Sequence, residues 1–256
     1  MLQVLISTMH LKDANKLLKK MNINSDAIIV DQTDYDGEEI IDYNGYKINI
    51  YHTQERGLSK SRNYALKKSS AKYIIFADDD FEYSEQYSEN IIKKYKEYPD
   101  ADIIIFGAIR NDDFVYKVFP NGRLKSKYKY NINSIRITAN RDNLIKSKVL
   151  FDENFGTGSK ISCGEDTIFI NDCFKAKLKF YSDDFIICKG IKDDRESTWW
   201  HGYDVKFFND RGLVYKRISK FYLLLMLYFA IKKYSQYKNN VSFFNALKSM
   251  IYSRVK

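Results

Sequence analysis

The chain has 256 residues, 45% of them hydrophobic, and a formal net charge of +9. That size suits one α/β domain with an appendage, and the apolar fraction is enough to fill a core, which excludes a disordered chain. The three cysteines, Cys163, Cys173 and Cys188, contain no C-x-x-C pair, which argues against a disulfide framework or a zinc spacing and fits reduced thiols in a cytosolic protein.

Taken in chain order, Val4–Ser7 is an apolar run of buried-strand type, and Leu11, Ala14, Leu18 and Met21 follow at helical spacing. Ala27–Val30 and Lys47–Tyr51 are the next strand candidates. Ser59–Lys68 reads as a helix, Tyr73–Ala77 as a strand, Glu85–Tyr95 as a helix and Ile103–Phe106 as a strand. Strands alternating with helices predict a Rossmann-like α/β fold, with a mainly parallel sheet flanked by helices. In such sheets ligands bind beyond the carboxyl ends of the strands. Further on, Val115–Phe119 and Ile132–Thr138 are expected as strands, Asp142–Lys148 as a short helix, Glu165–Lys177 as a helix and Phe180–Cys188 as a strand.

The last segment changes character. Phe221–Ile231 is almost wholly apolar and aromatic, with Lys216, Arg217 and Lys220 before it and Lys232 and Lys233 after it. It is too short to span a bilayer of about 30 Å and suits either an amphipathic helix lying on an anionic membrane surface or a helix packing against the catalytic domain or a partner. The division expected is a catalytic domain over 1–212 and a helical tail over 213–256. The opening residues lack the basic n-region of a secretory leader, and no apolar run is long enough for a transmembrane helix.

Three segments carry chemistry. Asp78-Asp79-Asp80 ends an apolar strand, where adjacent carboxylates repel unless a cation joins them. Strand alternation would send Asp78 and Asp80 to one side and Asp79 to the other. Oxygen ligands suit Mg²⁺ or Mn²⁺, whose shell is usually completed by water and substrate phosphate. Gly57-Leu58-Ser59-Lys60-Ser61-Arg62-Asn63 opens a helix whose free N–H groups and Arg62 fork suit an anion. Gly164-Glu165-Asp166 opens another helix, where either carboxylate could act as a general base.

Together with the opening Val-Leu-Ile-Ser-Thr strand and Ile29-Val30-Asp31, these segments resemble family 2 glycosyltransferases of the GT-A fold, from the first strand to about Gly212. The resemblance implies an inverting, metal-dependent transfer from a nucleotide-diphosphate sugar, with a UDP-sugar favoured. Ser7, Thr8 and Met9 would line the nucleotide pocket, and Asp31 would contact the base. Arg62, Asp78 and Asp79 would hold the nucleotide sugar, Asp78 and Asp80 a Mn²⁺ or Mg²⁺, and His201 a third metal position. Asp166, with Glu165 beside it, would deprotonate the acceptor. Gln32 departs from the pattern, since many relatives carry a second acid there, and so does Phe81. No Gln-x-x-Arg-Trp motif of processive synthases is present, so single additions are expected.

The acceptor expected is a saccharide, lipid-linked, in bacterial capsule, O-antigen or other surface-polysaccharide synthesis. The enzyme would be cytoplasmic and peripheral on the inner face of the cell membrane. The rival readings are a nucleotidyltransferase and a non-catalytic basic binding module. The first lacks a Gly-rich phosphate loop with a Lys after the first strand. The second lacks a compact basic helix or nucleic-acid motif, so no nucleic acid partner is expected.

Overall fold

The computed structural model describes residues 1–116, 119–125, 132–192 and 202–255. In chain order the first half contains β1 (Leu2–Met9), α1 (Ala14–Lys20), β2 (Asp26–Gln32), β3 (Gly37–Tyr43), β4 (Tyr46–Thr53), α2 (Leu58–Lys68), β5 (Tyr73–Asp78), β6 (Phe81–Tyr83), α3 (Tyr87–Glu97) and β7 (Ile103–Ile109). The second half contains β8 (Gly122–Arg123), a 3-10 turn (Ser134–Arg136), β9 (Ile137–Asn140), α4 (Arg141–Ser147), α5 (Glu165–Lys175) and β10 (Phe180–Gly190). Three helices close the chain: α6 (Val205–Ile218), α7 (Tyr222–Tyr237) and α8 (Phe243–Ile251).

The strands join in one sheet of order β3-β4-β2-β1-β5-β9-β7-β10-β6, with β8 also paired to β10. The α/β expectation holds, but the sheet is mixed. β4, β2, β1 and β5 are parallel, as are β7 and β10, whereas β9 runs antiparallel to both β5 and β7. The reason lies in the segment expected as one strand over Ile132–Thr138. Ser134–Arg136 turns as a 3-10 helix, and the Ser134 N–H bonds the Asp166 carboxylate at 3.0 Å instead of joining a ladder. Only Ile137 onward pairs with the sheet, entering from the end opposite to its neighbours. Of the expected strand Val115–Phe119, Val115 makes a single bridge to Ile109, and residues 117–118 lie outside the described residues.

Both faces of the sheet are covered. Val4, Ile6, Ile29, Ile75 and Phe106 pack toward Leu18 of α1 and Tyr87, Ile91 and Tyr95 of α3. Leu5, Ile28, Val30, Ile74, Phe76 and Ile105 pack toward Ala65 and Leu66 of α2 and Phe169 and Cys173 of α5. Neighbours along one strand thus face opposite layers, as the period of two requires.

The closing helices form a cap with their own core of Phe208, Met226, Ala230, Tyr237, Val241, Ala246 and Met250. A smaller cluster of Phe155, Ile161, Ile168, Val214 and Ile218 joins the cap to α5. The expected boundary at Gly212–Leu213 falls inside α6, where Gly212 lies so close to the Met250 backbone that no side chain would fit. Among the described residues, no helix is long and apolar enough to cross a membrane.

Candidate active site

The site forms where the carboxyl ends of β1, β2 and β5 meet the N-termini of α2 and α5. At its centre is Arg62, whose side chain is 2% exposed. One guanidinium nitrogen donates to Asp78 Oδ1 at 2.8 Å and the other to Asp166 Oδ1 at 3.0 Å, with Glu165 Oε1 at 4.0 Å. Burial alone would favour a neutral side chain, yet the three carboxylates hold Arg62 firmly charged. The Phe151 ring lies 5.3 Å from the guanidinium carbon and closes its underside. A planar fork is needed here, because one ammonium could not reach both carboxylates.

The approach of α2 to α5 depends on glycine. Gly57 has φ +126° and Gly158 φ +80°, and a Cβ on Gly158 would lie 3.2 Å from the Gly57 Cα. The two loops therefore pass back to back, fixed by Leu58 N–H donating to Thr157 O at 2.9 Å and by Ser59 Oγ donating to Phe155 O at 2.7 Å. Asn63 clasps the far side, donating to Phe151 O and accepting from Phe151 N–H, both at 2.9 Å.

The acidic run does not follow simple strand alternation. β5 ends at Asp78, and Asp79 and Asp80 lie in the turn before β6. Asp78 turns to Arg62, and Asp79 accepts from Thr8 Oγ1 at 2.6 Å. Ser7 does not open to a pocket, since its hydroxyl accepts from Ser61 Oγ at 2.8 Å and both are buried. Met9 is exposed at the end of β1. His201 lies outside the described residues. Among the described residues, no three His, Cys, Asp or Glu side chains converge as a ready metal cage. With Asp78 committed to Arg62 and Asp79 to Thr8, the donor set fits a hard divalent ion held by few carboxylates and completed by phosphate and water, not a closed protein site.

Asp31, the penultimate residue of β2, is fully buried. It accepts Leu11 N–H at 2.9 Å on one oxygen and meets His52 Nδ1 at 2.9 Å on the other. His52 in turn lies against the Tyr35 ring, centroids 4.8 Å apart. Next to this pair is a cleft of about 400 Å³ lined by Leu11, Lys12, Tyr35, Glu39 and His52 among others. Gln32 ties β2 to the start of α2. Its Oε1 accepts Gly57 N–H at 2.7 Å, and its Nε2 faces Thr8 O at 3.5 Å. An acid in its place would keep the acceptor and lose the donor.

Glu165 and Asp166 open α5 and differ in environment. Both Asp166 oxygens are bonded, one from Arg62 and one from Ser134 N–H. Glu165 is pushed up to about 7, mainly by burial, with the Asp166 charge adding to it and Arg62 opposing. A helix N-terminus normally favours an anion; here loss of water outweighs it. Cys163, two residues before, is held as a thiol by burial and offers no nucleophile.

Sequence reasoning did not point to Arg136, His52 or Ser134, and it gave Gln32 no role. Arg136 is fully buried, with Phe119 and Tyr116 rings 5.2 and 5.8 Å from its guanidinium carbon, and burial draws it down to about 10. Arg136 and the Asp80 charge act on Tyr116 and Cys188 with opposite sign. No local pattern marks such a residue, because Ser134–Arg136 reads as strand.

The profile described as Glycosyl transferase family 2 matches residues 14–157, more than half of the chain. The chain belongs to glycosyl transferase family 2. This family 2 chain also matches solved structures across its whole length. The S. aureus TarS fragment 1-349 in complex with UDP-GlcNAc aligns with a TM-score of 0.68 at 16% identity, covering 100% of this chain and 81% of that one. The same fragment in complex with UDP gives a TM-score of 0.64 at 15% identity, covering 98% and 80%. Longer TarS gives 0.63 at 12% identity, covering 98% and 55%. At these identities the likeness establishes the GT-A fold of this glycosyltransferase. No curated protein matches it in sequence.

Proposed function

We propose that this glycosyltransferase moves a sugar, with inversion, from a nucleotide-diphosphate donor to a hydroxyl of a saccharide acceptor. The observation that carries the reading is the Arg62 bridge. One buried guanidinium links Asp78, at the donor end of the site, to Asp166, where an acceptor proton would be taken. A UDP-sugar is favoured as donor, in line with TarS fragments solved with UDP-GlcNAc and UDP.

In this reading the nucleotide lies along Thr8, Met9 and the Asp31–His52 pair, and the diphosphate meets Asp78, Asp79 and Arg62. Asp80, with Asp78, would hold a Mg²⁺ or Mn²⁺, which when bound supplies positive charge for the departing diphosphate. The acceptor hydroxyl gives its proton to Asp166. Its oxygen forms a bond to the anomeric carbon as the bond to the diphosphate oxygen breaks and that oxygen keeps the electron pair. Attack from the opposite face inverts the centre, as in single-displacement glycoside chemistry. Arg62 holds Asp166 in place, and Glu165 sets how much negative charge surrounds the guanidinium.

The acceptor proposed is lipid-linked, in bacterial surface-polysaccharide synthesis, with the enzyme in the cytoplasm on the inner face of the cell membrane. The apolar, basic cap supports this setting.

The test is calorimetric titration of UDP and GDP, with and without Mn²⁺, into the wild type and Asp80→Ala. Metal-dependent binding of one nucleotide, lost in the variant, is expected. Binding unaffected by metal and by Asp80→Ala would remove the metal from the reading. No binding of any nucleoside diphosphate would overturn it.

A further inference from the structure

The charge of this chain is not spread over it. Residues 211–256 contain ten of its 42 Lys and Arg and none of its 33 Asp and Glu. The first 210 residues therefore hold 32 cations against 33 anions, close to neutral. The excess basicity belongs entirely to the cap.

Among the described residues, the cap also has an apolar face that nothing covers. Within α7, Met226, Ala230 and Tyr237 are buried against α6 and α8. On the opposite side Leu224, Leu227, Tyr228, Ile231 and Tyr234 are exposed, Leu224 and Ile231 by 65% and 61%. Their spacing of three and four residues puts them on one stripe. Lys220 and Lys238 flank the stripe, one just before the helix and one just after it, and both are exposed. Tyr234 touches Phe243, and Phe243 touches Phe244, which carries the patch onto the start of α8, where Phe244 is 80% exposed.

We propose that this face of α7 docks on an anionic lipid bilayer, with Leu224, Leu227 and Ile231 entering the acyl boundary and the flanking lysines on lipid phosphates. A helix of 16 residues is about 24 Å long and would lie in the plane of the surface. Lysines at both ends of an apolar stripe suit this, because their stems lie along apolar surface while their heads reach phosphate. A second copy of the chain is a poor occupant. A symmetric contact through this face would bring together two cationic caps, each with Asp210 as its one acid. The proposal deepens the membrane setting given above and rests on it, but it does not depend on which sugar or nucleotide is used.

The test is co-sedimentation of the full chain with phosphatidylglycerol vesicles and with phosphatidylcholine vesicles. The variants are Leu224→Glu/Ile231→Glu and, separately, Lys220→Gln/Lys238→Gln. Both pairs are exposed, so the fold should persist, checked by the thermal midpoint and by UDP titration. Expected are binding to the anionic vesicles alone, a loss of about tenfold or more in the Leu/Ile variant, and a smaller loss in the Lys variant that high salt reproduces in the wild type. Wild-type binding that neither variant changes would overturn the proposal. So would absent vesicle binding, whether or not Leu224→Glu/Ile231→Glu converts an oligomer to monomer; such a conversion would make the face a protein interface. Failure of UDP to bind, with vesicle binding intact, would overturn the donor reading and leave this one standing.

Discussion

Arg62 and Asp166 lie 104 residues apart in the chain and share a 3.0 Å hydrogen bond, with the same guanidinium also bonded to Asp78. Removing the cation leaves up to three carboxylates facing one another. Arg62→Met is expected to cost about 2–4 kcal/mol, somewhat below a fully buried pair because Asp78 and Asp166 keep some solvent. Arg62→Lys should recover only part, since an ammonium bonds one carboxylate at a time. Urea denaturation of the three proteins measures both, and equal stability of Lys and Arg forms would count against the bridge.

Glu165 gives a pH dependence of defined sign. Its folded pKa, about 7, lies above the usual carboxylate value, so the folded state binds its proton more tightly than the unfolded state does. The stability it contributes is full below the unfolded pKa and is lost as pH rises to about 7. Glu165→Gln should therefore flatten stability between about pH 4.5 and 7 and be the more stable protein at pH 8, by about 1–3 kcal/mol. Thermal midpoints across that range test it; parallel curves for the two proteins would show that Glu165 is not the group responsible.

Asp166→Asn should separate binding from chemistry. Nucleotide affinity is expected to change less than about tenfold, while transfer falls by about 10²–10⁴. The readout is kcat against the UDP dissociation constant. A collapse of binding with little change in kcat would make Asp166 a donor ligand and not the base.

Gly164 precedes the two carboxylates with φ +96°, and an added Cβ would collide with Val214 of the cap. Gly164→Ala is expected to destabilise by about 2–4 kcal/mol, from a left-handed backbone together with overpacking. Val214→Ala in the same chain should return the steric part and leave the backbone part. A double-mutant cycle gives that split, and purely additive effects would mean the two residues do not meet.

The sequence was most legible where an element is buried on both sides. β1, β2, β5 and β7 stand out as continuous apolar runs, and each is covered by helices on both faces. β3 was not read because it is an exposed edge strand, Gly37–Tyr43, whose residues alternate no apolar face. β6 is three residues long and exists through pairing with β10. α6 and α8 were covered only by the expected helical tail over 213–256 and not told apart as helices; their apolar positions serve two clusters, the cap core and, through Val214 and Ile218, the contact with α5. Within the site, Asp78, Arg62 and Asp166 were found as separate motifs. Their joining through one guanidinium, and the hold of Ser134 on Asp166, depend on contacts that no local spacing encodes. Gln32 was noted as a departure; an acid could equally accept the Gly57 N–H, and what the amide adds is the Nε2 donor facing Thr8 O at 3.5 Å.

The segregation of charge acts before any contact is made. A nearly neutral body joined to a strongly cationic cap is an electric dipole. Near an anionic surface a torque acts on it within a Debye length or so, about 8–10 Å at moderate salt. The molecule would thus arrive already turned, cap first, and the rate of productive landing would fall with ionic strength faster than diffusion alone predicts.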